Sequence, residues 1–398
     1  MASTIYINGR FLASPRTGVQ RVGEQLIRAI DRAIAMNPAH GTFELLEPGR
    51  ANRGLVLDLI RSTRFGRLPP MLWEQITLPW RSRRGLSLNL CNVGPLAKRQ
   101  AVTMIHDAQV YTTPQSYSKP FRLWYRFIQP LLGKRHRLIL TVSEFSKGQL
   151  ASWGVAPPDK IKVIYNGVDH VLDFGRDDTA LTGAALDPGR YVLGLASLQP
   201  HKNVQILLKA WAQRTDDVRL ALFGHVDQAA FEATFGPLPE NVVLLGRVSD
   251  AQLRSLLEQA LCYVCPSTTE GFGLPVLEAM TLGCPAVVAP CGALPEVCGD
   301  AVVYADPNDA DAWSDAVTRL TDEPRARADL VAAGRIQAAP FSWANAAATL
   351  LAALSALDAP LPAPKAVTPA FKAPLPVLEA PLPVLEAPLP VLEESNAQ

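Results

Sequence analysis

The chain has 398 residues, 48% of them apolar and 19% charged, with a net charge of +1 at pH 7. That length suffices for two domains with separate cores, and the absence of any uninterrupted apolar run near the roughly 20 residues that span a bilayer, together with a start (Met1-Ala2-Ser3-Thr4-Ile5-Tyr6) unlike a secretory signal, predicts a soluble or peripheral cytoplasmic protein. Charge is divided by half: residues 1–190 carry 26 Lys and Arg against 14 Asp and Glu, net +12, and residues 191–398 carry 12 against 23, net −11, so the first half is drawn to an anionic membrane surface or a lipid-linked diphosphate.

Short apolar runs at residues 5–7, 101–105 and 138–142 alternate with helical patterns such as residues 19–30, the rhythm of a parallel α/β sheet. Phe121-Arg122-Leu123-Trp124-Tyr125-Arg126-Phe127-Ile128 interleaves arginine with aromatic residues and continues through Lys134, Arg135 and Arg137. Such a segment either lies in a membrane interface or is a core-facing helix with a solvated basic side. No zinc finger, RNA-binding aromatic signature or long basic tail points to nucleic acid. Beyond Asn166-Gly167-Val168-Asp169 the chain to Arg190 is rich in Asp, Gly and Ala with little periodicity, and the interdomain linker is placed there. The expected divisions are residues 1–175, 176–358 and a tail at 359–398.

A second α/β series follows, with strands near residues 191–195, 218–223, 242–244, 261–264, 286–288 and 301–304, and a final helix at 343–357. Two of its strand ends carry chemistry. After the first comes Ser197-Leu198-Gln199-Pro200-His201-Lys202-Asn203, where Asn203 suits an N-cap and Lys202 stands beside the free amides of a helix start, a combination that favours phosphate. After 261–264 comes Glu270-Gly271-Phe272-Gly273-Leu274-Pro275-Val276-Leu277-Glu278, with one carboxylate at the turn and the other about one helical turn further in, two glycines that admit a ligand to the backbone, and a proline fit for the first helical position. Carboxyl ends of strands are where open α/β sheets bind ligands. A polyol carrying a diphosphate suits this set.

Cys262 and Cys265 have C-x-x-C spacing but lie in an apolar strand, where packing explains them better than metal or redox chemistry. Asp309-Ala310-Asp311 opens a helix, and capping accounts for it. In the tail, Ala-Pro-Leu-Pro-Val-Leu-Glu occurs at Ala373, Ala380 and Ala387; two prolines per repeat exclude a continuous helix and predict a disordered extension.

With both loops in view, the chain resembles the retaining glycosyltransferases of family 4, which have the two-domain GT-B fold of Rossmann-like parallel sheets facing a cleft. The pair Glu270 and Glu278 is similar to that family's E-x7-E motif, and Gln199-Pro200-His201-Lys202-Asn203 to its lysine-bearing donor loop. Asn8-Gly9-Arg10 with Thr17-Gly18-Val19-Gln20-Arg21, and Leu72-Trp73-Glu74-Gln75, resemble segments of a bacterial polysaccharide subgroup, and Ile105-His106-Asp107, Val142-Ser143-Glu144-Phe145-Ser146-Lys147 and Ile164-Tyr165-Asn166-Gly167-Val168-Asp169 fall in the family's order and spacing. One departure is Ser197, which stands where many members carry a second diphosphate-binding arginine; Arg21 and Arg247 are candidates to replace it.

The resemblance implies transfer of a hexose, with mannose from GDP-mannose expected and UDP-glucose, UDP-galactose or a dTDP-deoxysugar as alternatives, to a lipid-linked or oligosaccharide acceptor, with retention and without a metal or other cofactor. It assigns Glu270, His106 and Lys202 to catalysis: Glu270 to donor-sugar hydroxyls, Lys202 to the leaving diphosphate, and His106 beside the transferred sugar. It assigns Glu278 to the ribose diol, the amides of Gly271, Phe272, Gly273 and Leu274 to sugar or phosphate, Arg247 and Val248 to the nucleobase, and Gly18 to a close approach to phosphate. The rival readings are a non-catalytic sugar-nucleotide-binding scaffold and a nicotinamide-dependent oxidoreductase, the latter weakened because no G-x-G-x-x-G follows the first strand.

Overall fold

The computed structural model of the chain describes residues 4–358. Two parallel sheets organise it, each covered by helices. The first contains β1 (Ile5–Asn8), β2 (Phe43–Pro48), β3 (Arg61–Phe65), β4 (Leu86–Asn89), β5 (Ala101–Met104), β6 (Leu138–Thr141) and β7 (Ile161–Val163), in the order β3-β2-β1-β4-β5-β6-β7. The second contains β8 (Tyr191–Leu195), β9 (Arg219–Phe223), β10 (Val242–Gly246), β11 (Cys262–Cys265), β12 (Ala286–Val288) and β13 (Val303–Tyr304), in the order β10-β9-β8-β11-β12-β13. These are the two Rossmann-like sheets of the expected α/β fold.

Each sheet is wound outward from its first strand and then resumes on that strand's other side. The order therefore reverses between β1 and β4, and again between β8 and β11, and at such reversals the loops beyond the carboxyl ends diverge and leave a crevice. β8 and β11 are direct neighbours, with Val192 paired to Cys262 and Gly194 to Val264. The two chemically loaded loops thus leave the sheet side by side.

Eight helices matter below: α1 (Gly18–Met36), α2 (Lys119–Arg135), α3 (Glu144–Ser152), α4 (Val204–Gln213), α5 (Asp250–Gln259), α6 (Leu274–Thr281), α7 (Leu294–Cys298) and α8 (Trp343–Asp358). The fully buried side chains of α1, including Leu26, Ile27 and Ile30, face the first sheet's core. α8 returns from the second series to pack against α1, burying Trp343, Ala347, Leu350 and Leu351. Among the described residues one stretch, Pro324–Leu357, is long and apolar enough to cross a membrane, but residues 339–342 divide it into two helices and the apolar face of the second is covered by α1.

The second strand series matches its expected positions closely, except that the run at 301–304 narrows to the two residues of β13. The segment expected to be an irregular linker holds a 3-10 turn at Asp169–Asp173 and a short helix at Thr179–Gly183. Cys262 and Cys265 are buried within β11 as reduced cysteines. Asp309 does cap a helix, its Oδ1 accepting from the Asp311 amide at 3.0 Å. The proline-rich repeats expected at 359–398 lie outside the described residues.

Candidate active site

The carboxyl edges of the two sheets face one another across a cavity of about 860 Å³, a size in the range of small-molecule sites. Lys202 and Glu270 meet on its second-lobe wall. β8 runs into a 3-10 turn, Pro200–Lys202, that lifts the lysine over the sheet edge, and the loop after β11 carries Glu270 to the same place. Lys202 Nζ lies 2.7 Å from Glu270 Oε1, and the two side chains keep only 19% and 13% of their exposure.

The environment fixes both charges. Burial pushes the Glu270 carboxyl up, but the Lys202 ammonium and the Ser267 hydroxyl outweigh it and hold the carboxyl below its ordinary value. Burial likewise pulls Lys202 down, and Glu270 more than reverses this, leaving the ammonium above its ordinary value. Of the three donors on Nζ one goes to Glu270, so the others are open to an anion.

Asn203 was expected to cap α4 through its side chain. It occupies the cap position, but in the left-handed region at φ 53°, and its amide turns away to donate to the carbonyls of Pro266 at 3.2 Å and Pro307 at 2.8 Å. That clasp ties the Lys202 turn to the loop that carries Glu270.

The Glu270 loop is shaped by glycine. Gly273 sits at φ 95° at the entry to α6, where a Cβ would come within 2.6 Å of Leu294. Gly271 is pressed against the other lobe: its carbonyl accepts from Ser143 Oγ at 2.7 Å and Ser146 Oγ at 3.0 Å, and a Cβ on it would approach that of Asp107 to 2.9 Å. Phe272 turns its ring inward against Tyr165 and Phe341, so it meets the cavity mainly through its backbone. Leu274 opens α6, and one turn on Glu278 is buried at 6% exposure with Oε1 3.4 Å from His170 Nε2.

His106, just past β5, lines the cavity from the first lobe. Its Nε2 lies 2.8 Å from the Leu90 carbonyl and its backbone N–H donates to Asn92 Oδ1 at 2.8 Å. Burial pulls its pKa down to about 4. The ring is therefore neutral at pH 7 with its proton on Nε2, which leaves Nδ1 as an acceptor for a hydroxyl and makes the group a weak base. Gly18 is the first residue of α1, and a Cβ there would meet no protein atom within 4 Å. A side chain at that position would project toward ligand space rather than into the fold. Arg247 and Val248 follow β10 at the cavity rim, Arg247 exposed.

Every residue assigned to the site from the sequence lines this cavity. Arg16, Asp107 and Asp250 also line it and went unassigned, while Arg21, a candidate second cation for the diphosphate, lines it too. Arg16 and Arg21 reach across to Asp250 at the start of α5, at 3.1 Å and 2.5 Å. Asp107 lies near the Lys202–Glu270 pair and burial pushes its carboxyl upward. Asp250 could not be found from sequence because its partners lie 234 and 229 residues away; Asp107 was signalled by its place beside His106. Among the described residues no cluster of three or more His, Cys, Asp or Glu is placed to hold a metal ion.

Comparison with known proteins agrees with this geometry. Residues 184–337 match the model of glycosyl transferases group 1, and residues 85–172 that of glycosyltransferase family 4. The O-antigen chain mannosyltransferase B of Escherichia coli is 33% identical over 269 residues, 63% of this chain and 69% of that one. The O-antigen chain mannosyltransferase RfbU of Salmonella typhimurium is 28% identical over 277 residues, 67% and 75% of the two. In fold, the Anabaena protein HepE, solved with UDP and glucose, superposes with a TM-score of 0.67 over 89% of this chain and 100% of that one, at 18% identity. The chain thus belongs to the family 4 glycosyltransferases, with the GT-B fold.

Proposed function

We propose that the chain transfers mannose from GDP-mannose, with retention and without a metal, to a lipid-linked or oligosaccharide acceptor in bacterial polysaccharide synthesis. The observation that carries this is the Lys202–Glu270 pair sharing one cavity with Glu278; the mannosyl donor rests on the similarity to two O-antigen mannosyltransferases.

As the bond from the anomeric carbon to phosphate breaks, negative charge grows on the diphosphate and positive charge on the sugar. Lys202 and the amides at the start of α6 stabilise the first. Glu270, kept ionised by Lys202, accepts from sugar hydroxyls and fixes the sugar over the diphosphate. His106 accepts a further hydroxyl at Nδ1. With His106 so weak a base, the acceptor's proton goes to the departing phosphate oxygen, on the face the diphosphate leaves, which accounts for retention. Glu278 holds the ribose diol, Arg247 and Val248 flank the base, and Arg21 or Arg247 supplies the second cation.

The acceptor side faces the inner leaflet of the cytoplasmic membrane in this reading. α2 exposes Phe121, Leu123 and Phe127 beside Arg122 and Arg126, and residues 71–80 expose Met71, Leu72, Ile76 and Trp80. Flotation with vesicles containing anionic phospholipid should exceed that with neutral vesicles and weaken at high salt; binding indifferent to both would remove the membrane from the account.

The decisive assay follows GDP release from GDP-mannose in the presence of a polyprenyl-diphosphate-linked oligosaccharide, for the wild type and Glu270→Ala, with product configuration read by NMR. Acceptor-dependent release that disappears in the variant, with an α product from the α donor, is expected. Nucleotide binding without release would make the chain a sugar-nucleotide-binding scaffold. A larger thermal shift with UDP, dTDP or ADP than with GDP would replace the donor.

A further inference from the structure

His170 lies in the turn after Asn166-Gly167-Val168-Asp169, 2% exposed, between the donor site and the start of α8. The Trp343 indole N–H donates to its Nδ1 at 3.1 Å, with the rings edge to face at 5.8 Å. Indole nitrogen can only donate, so Nδ1 must accept and the ring proton sits on Nε2. Nε2 has two neighbours, Glu278 Oε1 at 3.4 Å and Arg21 Nη1 at 3.3 Å. A guanidinium also only donates, so with the proton on Nε2 the Arg21 contact is not a hydrogen bond, and what Nε2–H meets is the Glu278 carboxylate, an electrostatic contact at 3.4 Å; Arg21 finds its acceptor in Asp250.

The ring is held in place from behind. Asp169 Oδ1 accepts from the Trp343 amide at 2.8 Å, and Val168 N–H donates to Phe341 O at 2.9 Å. At Gly167 a Cβ would come within 2.2 Å of the Trp343 nitrogen, so the turn and the start of α8 are in direct backbone contact.

We propose that His170 is a positioning residue for Glu278: it fixes one carboxylate oxygen and leaves the other directed at the ribose diol of the donor. Trp343 sets the tautomer that makes this possible. The inference rests on the reading of Glu278 as the ribose ligand.

The test is calorimetric binding of GDP and 2′-deoxy-GDP, and of UDP and 2′-deoxy-UDP, to the full chain. The wild type should prefer the ribonucleotide of its own base. In His170→Phe that affinity should fall by about tenfold, as for loss of one polar contact to a buried charged group, and the preference for ribose over deoxyribose should shrink, with donor KM rising more than kcat falls. His170→Gln, whose amide can accept from Trp343 and donate to Glu278, should restore the preference. If His170→Phe does not fold, His170→Asn keeps a partner for Trp343 but falls short of Glu278, and carries the same expectation. Glu278→Gln separates the two ideas. Preference lost in Glu278→Gln but kept in the His170 variants overturns the positioning role, whereas preference kept in Glu278→Gln overturns the ribose reading beneath it.

Discussion

The ammonium of Lys202 and the carboxylate of Glu270 stabilise each other's charged form, which sets how each responds to substitution and to pH. Lys202→Ala removes the cation and leaves Glu270 buried without its partner, so turnover should fall by about 10²–10³-fold, as for loss of a preorganised charge at a transition state, and thermal unfolding should come earlier. Glu270, with a pKa below its ordinary 4.5, contributes stability that is present above that value and lost as pH falls through the lowered one. Lys202, raised above 10.5, contributes stability present below 10.5 and lost only as pH climbs past its raised value. Between those limits the pair does not titrate, so donor affinity measured across neutral pH should show no step from it. Histidine dominates the acid side. His106, His136 and His201 are each pulled by burial from 6.5 to about 4, so the unfolded chain takes up protons that the folded chain refuses. Stability should therefore decline as pH falls from 6.5 toward 4, by up to about 1.4 kcal/mol per pH unit for each ring. Denaturant titrations at pH 7, 5.5 and 4.5 check this, and a flat profile would contradict it.

At the scale of elements, what the sequence revealed and what it concealed follow from how local each signal is. β8 was read at its true bounds, 191–195, because its apolar run is complete within five residues. The chemical loops were legible for the same reason: each is a strand, a polar turn and a helix start in unbroken order. Asn203 was misread because cap preference describes the extended backbone usual at that position, and here the left-handed residue sends its amide to two carbonyls 63 and 104 residues distant. β3, Arg-Ser-Thr-Arg-Phe, is an edge strand whose polar, partly exposed side chains carry no apolar run to find. Gly292 also escaped notice, though it shapes the Glu270 loop. It holds φ 65°, and a Cβ on it would come within 2.4 Å of the Glu270 nitrogen, while the next amide, Ala293, donates to Glu270 O at 2.9 Å. Gly292→Ala should shift the Glu270 backbone and lower turnover on the order of 10²-fold, the scale of an ångström's misplacement. The loss in kcat should exceed what the change in melting temperature explains; equal loss in both would make Gly292 only a folding residue.

Across the whole molecule, the two lobes are joined at the cavity by polar contacts rather than by core alone. Glu296, on α7 of the second lobe, accepts from the Glu144 and Phe145 amides at the start of α3 at 2.8 and 2.9 Å and from the Tyr165 hydroxyl at 2.9 Å. A carboxylate at a helix N-terminus is favoured by the free amides and the helix dipole. Ser116 and His201 add a contact of 2.8 Å across the same cleft. Glu296→Ala removes the carboxylate while leaving the catalytic groups in place, so the radius of gyration by small-angle scattering should rise and kcat/KM should fall several-fold, with nucleotide affinity less affected. An unchanged radius would locate closure elsewhere.

The carbonyl of Gly271 gives this arrangement a chemical meaning. It is the peptide oxygen next to Glu270, and the hydroxyls that hold it, on Ser143 and Ser146, belong to the opposite half. Separation of the halves would release that peptide and with it the placement of the Glu270 carboxylate beside Lys202. Under the proposed function, a nucleotide sugar bound while the halves stand apart would be loosely held and poorly reactive, which would spare it from being wasted on water until they close.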